Sequence, residues 1–131
     1  MQTSLSFTLA VRNGAEAAEF YKRAFGATEV HRVESPDGDV VVQLAIDGER
    51  FFVADESLEH ANFSPESLGN RSSVRLALIV DEPDVVARRA VAAGAREVYP
   101  VEDQPYGWRL GRVVDPFGHH WEIGRPLHDQ L

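Results

Sequence analysis

The stretch DQPYGWRLGRVVDPFGHHWEIG, residues 103–124, decides how this chain is read. Residues 108–114 form a β-run, Asp115-Pro116-Phe117-Gly118 a tight turn, and residues 119–124 a second β-run. The proline fixes one φ, and the glycine takes the place where a side chain would be strained. Side chains alternate along a strand, so His120 and Glu122 share one face and Trp121 and Ile123 the other. The sequence predicts a strand with an apolar core side and an ionisable cleft side.

The same punctuation recurs upstream. Leu5, Phe7, Leu9 and Val11 alternate with Ser6, Thr8 and Ala10, the pattern of a half-buried strand. Asn13 or Gly14 opens a helix to about Phe25, with Ala17, Phe20, Tyr21 and Ala24 on one stripe, and Gly26 ends it. Strands follow at 28–33, 40–46 and 50–54, separated by Ser35-Pro36-Asp37-Gly38 and by the hairpin pair Asp47-Gly48. Residues 55–71 are polar, carry Pro65 and Gly69, and show no period. They read as a linker or mobile loop with room for a short helical turn. Beyond it Val74, Leu76, Leu78 and Val80 alternate with Arg75, Ala77 and Ile79. Asp81 is expected to cap a second helix with Pro83 in its first turn and Val86, Ala90 and Ala93 as its buried stripe. Gly94 ends that helix, and residues 96–101 form a strand.

This is an internal repeat. Phe25-Gly26-Ala27-Thr28-Glu29-Val30 matches Ala93-Gly94-Ala95-Arg96-Glu97-Val98. Each half reads β-α-β-β-β, giving an α+β protein with units 1–55 and 72–126 joined by the linker 56–71. Laying one unit on the other sets Ser6 against Arg75 and Phe52 against Glu122.

The totals narrow the function. The 131 residues carry a net charge of −8, are 44% hydrophobic and 26% charged, and include no cysteine. Such a chain fits one domain that buries its own core, without disulfides or thiolate metal sites. The acidic balance argues against nucleic acid, which needs a basic footprint. No apolar run reaches membrane-spanning length. No signal-peptide pattern opens the sequence, so the cytoplasm is the default expectation. There is no nucleophile elbow, phosphate-binding glycine loop or HExxH helix.

With Glu19-Phe20-Tyr21-Lys22-Arg23-Ala24-Phe25-Gly26-Ala27 ending the first helix, Asp115-Pro116-Phe117-Gly118 leading into the last strand, and Val80-Asp81 and Ala92-Ala93-Gly94-Ala95 flanking the second helix, the chain resembles the glyoxalase/bleomycin-resistance/extradiol-dioxygenase family, the vicinal oxygen chelate superfamily. The resemblance implies two units curled into incomplete barrels around a cleft, within one chain or across a homodimer. Leu5, Phe7, Leu9, Leu76, Leu78, Val80, Trp121 and Ile123 would then back onto the helices. Activity does not follow from the fold, which hosts lyases, dioxygenases, transferases and drug-sequestering proteins.

Metal-using members place ligands on the first and last strands of each unit. Carried over, those positions are Ser6, Phe52, Arg75 and Glu122. Only Glu122 is a good ligand; Phe52 cannot ligate, and Arg75 carries a permanent positive charge. The resemblance therefore implies a protein that binds a small molecule in the cleft without the usual metal centre. The alternative is a divalent-metal-dependent lyase or dioxygenase built on Glu122 and His120, with a third ligand from His31, Gln43 or another chain. In the metal-free reading Arg75 and Glu122 pair in the cleft and orient a polar ligand. Tyr106, Trp108 and Phe52 form a stacking wall for a flat one. Ser6, Phe52, Arg75, Tyr106, Trp108, His120 and Glu122 are the expected ligand-binding residues. His119, on the other face of the strand, is expected to be structural.

Overall fold

The computed structural model describes residues 1–128. Strand β1 (Thr8–Val11) enters helix α1 (Gly14–Phe25), followed by β2 (Thr28–Glu34), β3 (Val40–Ile46) and β4 (Glu49–Asp55). The second unit repeats the order as β5 (Arg75–Ile79), α2 (Pro83–Ala93), β6 (Arg96–Asp103), β7 (Trp108–Val114) and β8 (His120–Pro126). Each unit forms a four-stranded mixed sheet, ordered β1-β4-β3-β2 and β5-β8-β7-β6, and neither closes into a barrel. In each, the outer pair β1/β4 or β5/β8 is parallel and the remaining pairs are antiparallel. Among the described residues no helix is long and apolar enough to cross a membrane.

Local chemistry sets the element ends. Asn13 caps α1 by accepting from the Glu16 amide, and Gly26 closes it in the left-handed conformation. Asp47 and Gly48, with φ of 48° and 82°, form the two-residue turn that matches strand twist. Helix α2 starts differently from expectation. Glu82, not Asp81, is its N-cap residue, and no side chain caps it; Pro83 at the first position supplies the start instead.

One core serves both units. Leu9, Val11, Val42, Leu44, Phe51 and Val53 of the first sheet and Val113, Trp121 and Ile123 of the second close on the same apolar cluster. Phe20 and Tyr21 of α1 lie within it. Each sheet thus has one face on the shared core and turns the other outward. Leu76, Leu78 and Val80 pack against the core half-buried. Leu5 does not join it: it precedes the first paired strand and is 97% exposed. Phe7 stacks on Phe51 at 5.2 Å and meets Trp121 edge-on while remaining partly exposed.

The segment between the units is a built element. Glu56 accepts from the Ser64 amide and the Ser67 hydroxyl, both at 2.9 Å, which holds its carboxyl below the usual range. Ser64 is fully buried and opens a short 3-10 turn, Pro65–Leu68. Pro65 then meets the 115–118 turn so closely that a Cβ on Gly118 would stand 2.6 Å from its Cβ.

Candidate functional site

Register places the candidate residues. Across the second sheet, Ala77, Glu122, Arg112 and Tyr99 form one row of neighbours, and Arg75, His120, Val114 and Arg96 another. On β8, His120 and Glu122 alternate with the buried Trp121 and Ile123, so both rows lie on the outward face. The matching row of the first sheet is Thr8, Phe52, Gln43 and His31. The two units therefore put neutral side chains and an aromatic in one row, and a charged cluster in the other.

Glu122 is the hub of that cluster. Arg75 Nε donates to its Oε1 at 3.1 Å, and an Arg112 Nη donates to its Oε2 at 3.4 Å. The guanidinium of Arg112 also lies over the Tyr99 ring, 5.4 Å from the centroid, a cation–π geometry. Arg75 is 57% exposed and Glu122 23% at the side chain. The Nε of Arg112 and the Nδ1 of His120 are buried without a hydrogen-bond partner. Burial, and then the charges of Arg112 and Arg96, lower the pKa of His120.

A cavity of about 360 Å³ opens beside Glu122, walled by Tyr99, Pro100, Tyr106, Leu110 and Arg112. Of the seven residues expected to bind ligand, Glu122 and Tyr106 line it; Arg75, though paired with Glu122, lines a different cavity with Phe51, Leu76 and Trp121. His120 neighbours Arg75 in register but lines a separate groove with Arg96 and Gly118. The expected stacking wall is not assembled. Phe52 lies on the other sheet, and Trp108 sits half-buried at the far end of β7 against Pro126. Ser6, exposed ahead of β1, donates to the Arg50 carbonyl at 3.2 Å. His119 points the other way, its Nε2 2.9 Å from the Ala10 carbonyl oxygen.

Arg112 and Tyr99 are additions to the expected set. Arg112 was within reach of hairpin arithmetic: a turn at 115–118 that pairs Val114 with His120 must pair Arg112 with Glu122. Tyr99 was not, because register shifts between Glu97 and Tyr99 and again between Tyr99 and Glu102 break the count.

The donor set does not fit a divalent metal. Both oxygens of Glu122 face guanidinium groups, which repel a cation and occupy the ligand's lone pairs. Among the described residues no three His, Asp or Glu side chains are placed to hold one metal ion together. His31 and Gln43, the candidate third ligands within the chain, pair with each other on the first sheet.

Two β-α-β-β-β units share one core, and each leaves an open outward sheet. The chain belongs to the glyoxalase-like domain family, whose match covers residues 6–124. It is 38% identical over 133 aligned positions to an uncharacterized protein of Mycobacterium bovis, spanning 98% of this chain and 87% of that one. Its structure is similar to that of TioX from Micromonospora sp. ML1, with a TM-score of 0.73 and 26% identity over 96% of this chain and 100% of that one. It is also similar to a glyoxalase-related enzyme from Fulvimarina pelagi, with a TM-score of 0.72 and 28% identity over 95% and 88% of the two chains.

Proposed function

We propose that this protein binds a small molecule on the outward face of its second sheet, with no resident divalent metal. The observation that carries the reading is Glu122 held between Arg75 and Arg112 at the edge of a 360 Å³ cavity walled by two exposed tyrosines. That volume lies at the lower end of the range for small-molecule sites. The ion pairs fix the polar groups, and the aromatic walls offer area at low entropic cost.

We also read the working form as a homodimer that holds the ligand between copies. Val33 and Val41 on the first sheet, and Ile79, Tyr99 and Tyr106 in the second unit, are all more than a third exposed. Val33 and Val41 are cross-strand neighbours, and a second copy laid on these faces would cover exposed apolar side chains of both units.

The test pairs elemental analysis with a thermal-shift screen of neutral, cationic and anionic aromatic compounds. The expected outcome is no stoichiometric metal after incubation with Mn²⁺, Fe²⁺, Ni²⁺ or Zn²⁺. At least one compound should raise Tm, because binding to the native state stabilises it. That shift should be lost in Glu122→Ala. A metal retained one per chain and released by Glu122→Ala would overturn the reading.

A further inference from the structure

Among the described residues the ion pairs follow one rule with a single exception. Arg12 has two carboxylate partners, Glu56 and Glu66. Lys22 and Arg32 share Glu19, Glu29 and Glu34. Arg109 has Asp84 and Asp103. In each group the acids outnumber the bases, in line with a chain of 21 acidic and 13 basic residues. Among the described residues, only at Glu122 do two guanidinium groups share one carboxylate, with Arg96 placed beyond His120 on the same face. Two guanidinium groups thus flank one carboxylate at the edge of a cavity whose lining also includes Glu102.

The guanidinium groups are also under-used. Arg75 reaches Glu122 through Nε, which leaves its terminal nitrogens uncommitted on a mostly exposed side chain. Arg112 is held by one long contact of 3.4 Å, and its shielded Nε has no partner. A guanidinium has five N–H donors in a planar fork that suits an oxyanion. Both groups therefore keep donors for a second acceptor while Glu122 fixes their positions.

Resting on the small-molecule reading above, we infer that the ligand is a planar carboxylate. Its carboxylate is taken by the free donors of Arg75 and Arg112, and its ring lies against Tyr99 and Tyr106. The tyrosines line the same cavity as Arg112 and are 59% and 63% exposed, so they present open ring area to a ligand. Arg75, Arg96 and Arg112 outnumber the two carboxylates here, Glu122 and the cavity-lining Glu102, so the face carries a small positive excess that favours an anion despite the acidic total.

The test titrates the intact protein, followed by ¹H–¹⁵N spectra, with benzoate, cyclohexanecarboxylate, benzylamine and benzyl alcohol. Benzoate should bind saturably and move resonances around Tyr99, Arg112 and Glu122; benzylamine should not. Arg112→Gln and Arg75→Gln should each weaken benzoate by about tenfold or more, the order expected for losing a charge-assisted contact. Arg88→Gln, an exposed change on α2, should leave benzoate affinity unchanged. Cyclohexanecarboxylate should bind several-fold more weakly than benzoate, and Tyr99→Ala should erase that difference.

Benzylamine or benzyl alcohol binding at these residues while benzoate stays silent would overturn the carboxylate inference and leave the small-molecule site standing. Equal weakening by Arg88→Gln would overturn it too, by reducing the effect to net charge. Benzoate binding that ignores both site arginines does the same. If none of the four compounds perturbs this face at about 10 mM, a concentration that detects even very weak binding, the inference and the reading beneath it both fall.

Discussion

The two helices stand at equivalent places in the repeat and do different work. Aligning Gly26 with Gly94 sets Phe20 against Arg88 and Tyr21 against Arg89. Phe20 and Tyr21 are buried, whereas Arg88 and Arg89 are exposed. Tyr21 donates its hydroxyl to Asp115 of the second unit, and Phe20 meets Phe117 edge-on at 6.0 Å. Burial and the Asp115 charge push the Tyr21 phenol well above its ordinary pKa, so it remains a donor. Helix α1 thus fills the centre of the molecule, and α2 covers one side. Arg89 reaches the Arg23 carbonyl at 2.8 Å, placing a cation at the C-terminal end of α1, where the helix dipole favours it. Two copies of one unit can share a core only if one helix becomes central to both. The outer faces diverge in a complementary way, with the charges on the unit whose helix carries less of the core.

The largest effects should fall on that central helix. Phe20→Ala should cost about 3–5 kcal/mol, the range for removing a buried aromatic, and Arg88→Ala no more than about 0.5 kcal/mol. Urea denaturation of both variants measures the contrast; equal losses would break the asymmetry. Asp115→Ala should fall close behind. Asp115 accepts from Tyr21 and from Trp121 Nε1, Phe117 N and His119 N, the last three at 2.9–3.0 Å. Removing it leaves buried donors without partners, at a cost of about 3 kcal/mol or more. A loss under about 1 kcal/mol would show that the link between units is carried by apolar packing alone.

The asymmetry also marks what the sequence could and could not reveal. The repeat, the strand faces around Trp121 and Ile123 and the start of α1 at Asn13 or Gly14 were legible, because alternation and capping are local signals. The pairing of Arg75 with Glu122 came from the family resemblance, which puts both at ligand positions on the first and last strands of one unit, and those strands are neighbours in the sheet. The stacking wall failed for a different reason. Phe52 and Glu122 are equivalent in the repeat, and equivalence places residues at matching positions on two sheets rather than side by side. The reach of Tyr21 into the second unit, 94 residues away, has no local signature at all.

At the site itself the effects are smaller. Glu122→Ala should lower stability by about 1 kcal/mol, because Arg75 is largely hydrated and only Arg112 is left poorly paired. Arg112→Gln should raise the pKa of His120 toward its ordinary value, without reaching it, since burial is the larger cause of the depression. A two-dimensional NMR titration reads this directly. The sign for stability is fixed: a histidine whose folded pKa lies below its unfolded value stabilises the native state above about pH 6.5 and loses that contribution as pH falls through the folded value. Arg112→Gln should therefore reduce the loss of stability between neutral and mildly acidic pH. An unchanged His120 titration would mean that Arg112 exerts no field on this face.

The smallest contrast lies between Glu29 and its repeat partner Glu97. Glu29 accepts from Arg32 at 2.8 and 3.1 Å and from Lys22 at 3.0 Å, whereas Glu97 forms no ion pair among the described residues. Its partners, Arg32 first and then Lys22, pull the Glu29 pKa down from 4.5 to about 2. A carboxylate depressed in the folded state stabilises it above the unfolded pKa, and that contribution is lost as pH falls from about 4.5 through about 2. Glu29 is 30% exposed and its cations are comparably hydrated, so solvent screening should cut the effect to about 0.5 kcal/mol or less. Glu29→Gln should flatten the acid limb of the stability curve slightly, and 1 M NaCl should shrink the difference from wild type. Glu97→Gln, which removes no ion pair among the described residues, is the comparison variant. An equal response from the two variants would mean that the Lys22–Glu29–Arg32 cluster is a surface arrangement with no energetic consequence, and that the units differ in their cores and outer faces but not in their rims.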